Sequence, residues 1–495
     1  MQLASIVKEL EYESVQGDLA KEITGVACDS REVLPGNLFV AISGFTSDGH
    51  KYVGEAVKRG AAAVIVEREA VSSDATVTMI QVKNARLALA KVSAHFYQYP
   101  SEKLNMIGIT GTNGKTSTAY FLQSILEATG KSTGIIGTIG TLINGELLET
   151  KNTTPESLQL QQFFSEMEKR GVSDCVMEVS SHAIDLKRTA YTTFHTGVFT
   201  NLSPDHLELH KSMDEYFHVK AKLFDQTYGF NVINMDDPYG QKLVEKVRGK
   251  EPAVVTYGLN PTADIYASDI DYSFEGTTYM VNTPTGNFKA KVNLPGEIYV
   301  YNSLAAAAAA YCSNISFEVI QQGLKNVAGI KGRLETVYSS GDYKVVVDFC
   351  HTEDALEKAL KTIRPYVKGK LILVFGVYAD ESESGREKRS GMARVAATYA
   401  DLSVVTSDNP KHHDPKLIIR EISQEMKANG GNYHAFLHRK EAIEYAVRVS
   451  NEDDVILIAG KGHETTQIVG DQEIPFNEKE IVMEALRAKE KRVKL

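Results

Sequence analysis

The chain has no excess of positive charge. Of its 495 residues, 54 are Lys or Arg and 64 are Asp or Glu, a formal net charge of −10. That balance argues against a nucleic-acid-binding surface, which needs basic excess, while leaving room for a local basic pocket around a small anion. Cysteine is also scarce. Cys28, Cys175, Cys312 and Cys350 are scattered with no C-x-x-C pair, and they read as buried apolar thiols in a reducing cytosol. Long apolar runs are missing too. The most apolar helix-like stretch, "SLAAAAAAYC", is too short to cross a bilayer. The opening "MQLASIVKELEYESVQGD" lacks the basic start and apolar centre of a secretion signal. The expectation is a cytoplasmic protein with neither a membrane nor a nucleic-acid partner.

What is present fits an ordinary globular chain, 43% apolar and 24% charged. It is too long for one core. The first part mixes short strands ("NLFVAISG", "AAAVIVE") with helices and ends at Tyr99-Pro100 and the polar "SEKLN". From Met106 onward, apolar runs alternate with helical periods: "MIGITG", "TGIIGTIG", "DCVMEVSS", "TGVFTNLS" and "FNVINMDD". That alternation predicts βαβ units and a mostly parallel sheet covered on both sides. Around "VAGIKGRLETV" the pattern resets, and "YKVVVDF", "KLILVFGV", "LSVVTSDN" and "DVILIAGKG" follow. The fold class is therefore α/β in three domains, over residues 1–99, 100–330 and 331–495. The central one is a P-loop-type, mostly parallel sheet covered by helices, and the last is Rossmann-like.

The stretch "GITGTNGKTS" carries the clearest chemistry. It joins the strand "MIGITG" to an amphipathic helix "KTSTAYFLQSILEATG" that ends at Gly130. Backbone N–H groups and the helix dipole at such a turn favour phosphate. Gly111, Thr112, Asn113, Gly114, Lys115, Thr116 and Ser117 form the candidate ATP loop, with Lys115 reaching terminal phosphates and the Thr116 hydroxyl suited to Mg²⁺. The usual outer glycine is replaced by Ile109, which makes the turn a variant. Glu178 closes the strand of "VMEVSSHA" and His206 follows that of "TNLSPDHLELH", at the strand ends where open α/β sheets hold ligands. Alone, that histidine reads as structural, and Lys220 as a solvated helix lysine.

Together these residues resemble the Mur ligase family. "GTNGKTS", "NTTPE", "MEVSSHA", "TNLSPDHL", "RLE", "DFCHT", "SDNPK" and "GKGHETTQ" stand in the family's order, over nearly the whole chain. The segment "DSREVLPGNLFVAISGFTSDGHKY" is similar to the uridine-nucleotide-binding part of members that add the third residue of the peptidoglycan stem peptide. The resemblance implies an ATP-dependent, ADP-forming ligase. The D-Glu carboxylate of UDP-N-acetylmuramoyl-L-alanyl-D-glutamate would take the γ-phosphate of ATP, and a free amino acid's amine would attack the acyl phosphate. Two anions must meet, so cations must neutralise shifting charge. Lys115, Glu178, His206 and Lys220 would be catalytic. Thr116, Glu178, His206 and Lys220 would hold Mg²⁺, Lys220 as a carbamate made by adding CO₂. Asn302, Arg333, Asp348 and His351 would complete the ATP pocket, the last three as the final domain closes. Ser30, Asn152, Thr153, Thr154, Ser180 and Arg188 would bind the uridine substrate, although the two threonines also suit a helix-capping turn. A monomer is expected.

The departures from the pattern lie on the ATP-closing and acceptor side. Tyr299 stands where the family has asparagine, Glu353 makes "HTED" of "HTPD", and "GVYADESESGREKRSG" replaces an arginine-bearing loop, with Arg386 as the substitute. Asp408, Asn409, Pro410, Lys411, Gly460 and Glu464 match acceptor-binding positions. Members that add diaminopimelate carry arginine where Lys411 stands. Lysine attracts a carboxylate without a two-point fork, so a dicarboxylic acceptor, diaminopimelate first, is expected. Two other readings stay open: a paralogue with another acceptor or pathway, and a nucleotide-binding protein that has lost ligation.

Overall fold

The computed structural model describes residues 1–44, 47–68, 76–205, 209–377 and 379–493. Three sheets organise it. The first has five strands in the order Ser14–Gln16, Thr78–Gln81, Ala63–Val66, Asn37–Val40, Gly25–Ala27, parallel except for the first pair. Successive side chains leave a strand on opposite faces. Leu38 and Val40 accordingly join the cluster under the helix Ala85–Phe96, and Phe39 joins the one under Val53–Lys58. The connection onward is packed: Tyr99 has a left-handed backbone (φ 50°), and Pro100 and Ser101 are buried in a 3₁₀ turn.

The second sheet has eleven strands, and its middle positions the site. Asn105–Thr110 lies between Asp174–Glu178 and Phe194–Phe199, all parallel, with Glu178 opposite Ile109 and Phe199 opposite Thr110. Three chain segments therefore leave the sheet side by side at one end. Thr133–Gly137 and Thr227–Asn234 extend the parallel part, as the apolar runs predict, and Ala253–Gly258 adds a strand that those runs did not include. Both edges are antiparallel. Gly140–Ile143 and Glu146–Leu148 fold back at one, while Ile265–Ser273, Gly276–Thr283 and Gly286–Val292 meander at the other.

The helix Lys115–Ala128 runs from the glycine turn across one face and packs on Glu297–Cys312. The latter contains the alanine run. Ala305 to Ala310 are all at most 2% exposed, so the run is a core helix whose short side chains let neighbours close in on every side. No helix among the described residues is long and apolar enough to cross a membrane. The same apolar cluster continues through Ile330 and Leu334 into the third sheet. That sheet is ordered Glu335–Ser340, Tyr343–Asp348, Val455–Ala459, Leu371–Phe375, Leu402–Val405, Tyr433–Ala435, with only the first strand antiparallel.

A third helix, Phe317–Asn326, buttresses the first by close backbone approach. The Gly323 carbonyl accepts the Ser124 hydroxyl at 2.7 Å, and a Cβ on Gly323 would fall 2.4 Å from Ile125 Cα. Gly323→Val should destabilise the central domain by about 2–3 kcal/mol, read as a lower urea midpoint with an unchanged slope.

Candidate active site

The loop after Asn105–Thr110 is built by backbone geometry that side chains would obstruct. Gly111 (φ 145°) and Gly114 (φ 87°) both adopt positive φ, where L-residues are strained. A Cβ on Gly111 would lie 2.0 Å from Thr200 Oγ1, and one on Gly114 would lie 2.3 Å from Asn302 Oδ1. Neighbouring strand ends hold the loop. Asn201 accepts from the Asn113 amide at 2.9 Å and donates to its carbonyl at 3.0 Å, and the Thr200 hydroxyl donates to that carbonyl at 2.7 Å.

Two amines converge on this loop. Lys115 Nζ donates to the Gly111 and Thr112 carbonyls at 2.9 and 2.8 Å, and Lys220 Nζ donates to the Gly111 carbonyl at 2.9 Å. Lys220 is only 2% exposed and sits over the Tyr216 ring. Burial, reinforced by the positive charge of Lys115, drives the Lys220 amine far below the usual lysine range. Burial also lowers Lys115, against the opposing pull of Glu178 and Asp205.

Glu178 lies within hydrogen-bonding distance of the same turn. Its Oε2 accepts the Thr116 hydroxyl at 3.0 Å and the Thr138 hydroxyl at 3.0 Å, and its Oε1 accepts the Thr138 amide at 2.9 Å. The hydroxyl and carboxylate of Thr116 and Glu178 are hard oxygen donors of the kind Mg²⁺ prefers. Among the described residues, no three His, Cys, Asp or Glu side chains converge as a further metal set. His206, the remaining expected ligand, lies outside the described residues.

The third sheet closes over this centre. Arg333 Nη2 donates to Thr116 Oγ1 at 3.0 Å, and its guanidinium stacks on Phe349. Asp354 accepts from Asn113 Nδ2 at 2.7 Å. His463 packs on Phe349; burial, then the positive charges of Arg333 and Lys331, push its imidazole down to about 3. Asp348 is buried and accepts the Leu334 and Cys350 amides at 2.6 and 2.7 Å; burial raises its carboxyl, with Arg333 opposing. The resulting cleft, about 1010 Å³, is also lined by Ser117, Asn302 and His351. Tyr299 lines it too, 2% exposed, with burial and Asp348 holding its phenol protonated.

On the uridine side the expected residues separate. Thr153 and Ser180 line the cleft, and Thr153 Oγ1 is 3.2 Å from Thr138 Oγ1. Thr154 is fully buried, with its hydroxyl donated to the Glu178 carbonyl at 2.8 Å. Contrary to the capping expectation, neither threonine caps the following helix, which begins at Ser157 with no side-chain cap, because the Thr154 hydroxyl is turned to the Glu178 carbonyl and that of Thr153 to Thr138. Arg188 donates to the Thr154 carbonyl at 3.0 Å and pairs with Glu156 at 2.8 Å. Asn152 is exposed. Ser30, in the first sheet's domain, is buried and donates to Glu55 at 3.1 Å.

The acceptor-side residues form a separate cluster. Lys461, fully buried, donates to Asn409 Oδ1 at 3.0 Å and Glu464 Oε2 at 2.7 Å, with Asp408 Oδ1 at 3.8 Å. A Cβ on Gly460 would crowd Asp408 at 2.8 Å. Lys411, after Pro410, is exposed on a left-handed turn (φ 51°), its amide donating to Ile468 at 3.1 Å. Arg386 lies apart, on a groove of about 770 Å³ that includes Asp205 and Lys388. Thr138, Asp354 and Lys461 were missed in the sequence. The weak signals were the "GTIG" turn after a strand and the lysine inside "GKGHE".

Comparison with known proteins decides the family. The chain matches the Mur ligase middle domain over residues 109–310, the Mur ligase glutamate ligase domain over 332–462 and the Mur ligase family catalytic domain over 22–97. The chain belongs to the Mur ligase family. It is 42% identical over 486 residues to a Clostridioides difficile protein, covering 98% of this chain and 99% of that one. It is 43% identical over 491 residues to one from Caldanaerobacter subterraneus, covering 99% and 100%. Both bear the name UDP-N-acetylmuramoyl-L-alanyl-D-glutamate–2,6-diaminopimelate ligase. A solved structure of that name aligns with a TM-score of 0.69 at 29% identity, covering 99% of each chain.

Within this Mur ligase fold the Glu178 carboxylate needs a bare neighbour. A Cβ on Gly137 would lie 2.2 Å from Glu178 Oε1. Gly137→Ala should displace the carboxylate from Thr116 and lower ATP-dependent phosphate release by more than about 100-fold, with the fold retained by circular dichroism.

Proposed function

We propose that the protein is an ATP-dependent ligase that joins diaminopimelate to UDP-N-acetylmuramoyl-L-alanyl-D-glutamate, releasing ADP and phosphate, in peptidoglycan precursor synthesis. The observation that carries the reading is the meeting, in one cleft, of Lys115, Thr116 and Glu178 from the central sheet with Arg333 from the closing domain, and of Lys220 buried against the loop behind them. The relatives' names supply the substrates. In this reading the three segments 1–99, 100–330 and 331–495 bind the uridine end, ATP and the acceptor respectively, in a monomeric cytoplasmic enzyme.

The carboxylate of the D-glutamyl residue attacks the γ-phosphorus of ATP, forming an acyl phosphate as ADP leaves. The acceptor's neutral amine then attacks the acyl carbon, losing a proton as phosphate departs and the peptide bond forms. The glycine loop offers its amides to the phosphates, and Lys115 turns from its own carbonyls to phosphate oxygens. Thr116, Glu178, His206 and a carbamylated Lys220 would hold Mg²⁺, which when bound neutralises the charge of the phosphates. Burial of Lys220 favours the neutral amine that adds CO₂. Asn302, Asp348 and His351 hold the nucleoside end, and Arg333 stabilises shifting phosphate charge. Closure by Arg333, Asp354 and His463 excludes water from an acyl phosphate that would otherwise hydrolyse. Asn152, Thr153, Ser180 and Arg188 face the uridine substrate, with Ser30 at its uridine end. Glu464 and Asp408 take the acceptor's distal ammonium, beside Asn409 and Gly460, while Lys411 supplies a cation for its carboxylates.

The deciding assay gives the purified protein ATP, Mg²⁺, the uridine dipeptide substrate and a panel of amino acids, with phosphate release and product mass recorded. Product with meso-diaminopimelate supports the reading; product only with another amine sinks the acceptor assignment, and no turnover with any amine sinks the ligase itself. Lys115→Ala should reduce turnover at least about 1000-fold. Lys411→Ala should raise the KM for diaminopimelate about fivefold, the size of an accessible charge pair, and leave that for the uridine substrate unchanged.

A further inference from the structure

We propose that Thr138 is a positioning residue that couples the state of Glu178 to the uridine-substrate side of the cleft, by setting which way the Thr153 hydroxyl proton points. The inference rests on the ligase reading and goes beyond it, since it assigns Thr138 a role through proton direction alone.

A hydroxyl has one proton, an ionised carboxylate has none to give, and a guanidinium only donates. Arg333 donates to Thr116 Oγ1 at 3.0 Å, so the Thr116 proton is free to serve Glu178 Oε2, also at 3.0 Å. Glu178 further receives the Thr138 amide at 2.9 Å and the Thr138 hydroxyl at 3.0 Å. Three donors on one carboxyl group mark it as the acceptor throughout. The single Thr138 proton is therefore committed to Glu178. The 3.2 Å contact between Thr138 and Thr153 hydroxyls then has one remaining direction, with Thr153 donating and Thr138 accepting. Thr153 consequently turns its lone pairs, not its proton, toward the cleft it lines. An anionic oxygen of a substrate finds no donor there.

Occupation of Glu178 Oε2 by a cation removes the acceptor that holds the Thr138 proton. The hydroxyl can then rotate and donate to Thr153 Oγ1, and the Thr153 proton is released toward an anionic substrate oxygen. Only protons move. The oxygens keep their places because the Thr138 amide stays on Oε1. Cation binding at Glu178 and anion binding at Thr153 thus favour each other, and by linkage the effect is reciprocal.

The test measures binding without turnover. Isothermal titration calorimetry would give the affinity of ADP-loaded protein for UDP-N-acetylmuramoyl-L-alanyl-D-glutamate with and without Mg²⁺, for wild type, Thr138→Val and Thr138→Ser. Wild type should bind at least about tenfold more tightly with Mg²⁺. Thr138→Ser, which keeps the hydroxyl, should retain that ratio, and Thr138→Val should reduce it to about twofold or less, mainly by tightening the Mg²⁺-free state. An unchanged ratio in Thr138→Val would overturn the proposal, as would loss of the ratio in Thr138→Ser. Failure of wild type to bind the uridine nucleotide under any condition would instead bring down the ligase reading on which the inference stands.

Discussion

The carboxylate of Glu178 sits where the rest of the site must meet it. It is the last residue of a strand paired in parallel with the strand that leads into the glycine loop, opposite Ile109. A register shift of one residue would turn it to the other face of the sheet. In the observed register it reaches Thr116 at 3.0 Å, while Gly137 on the other neighbouring strand leaves space for its oxygens. The nucleotide loop, the metal-suited oxygens and the substrate-side threonines are joined through this one side chain.

Around it, basic side chains gather on the glycine loop. Lys115 and Lys220 share the Gly111 carbonyl, and Arg333 arrives from the closing sheet. Lys115 and Arg333 are cations set close together, and burial lowers both lysines, Lys220 the further of the two. Such a centre is poised for a polyanion, whose arrival relieves the repulsion. The acceptor cluster has the opposite character. Its buried charges are paired, Arg439 with Glu478 and Lys461 with Asp408 and Glu464, and Lys461 is locked between Asn409 and Glu464.

Much of the fold could be read from pattern. Parallel strands buried on both faces appear as unbroken apolar runs, and "MIGITG", "DCVMEVSS" and "YKVVVDF" are all strands. The antiparallel edges were not legible. Ile265–Ser273 has exposed and half-exposed positions along most of its outer half, so its composition resembles a loop. The alanine helix was read only as too short for a membrane; its position in the core depends on neighbours far along the chain. Among site residues, the glycine loop stood out because its chemistry is local. Thr138 and Lys461 did not, because Glu178 and Asn409, which place them, lie 40 and 52 residues away, and an isolated threonine or lysine carries no mark of what it touches.

By itself the sequence determined the α/β class, the phosphate-binding turn and the resemblance to one ligase family, since each depends on residues close together or in fixed order. Tertiary structure alone decided that Thr154 is buried scaffold while Thr153 faces the cleft, that Arg386 lies apart from the Asn409 cluster, and that Lys220 is buried beside the nucleotide loop rather than solvated. Burial and hydrogen-bond direction are properties of packed neighbours. They come into being only when strands distant in the chain are placed side by side.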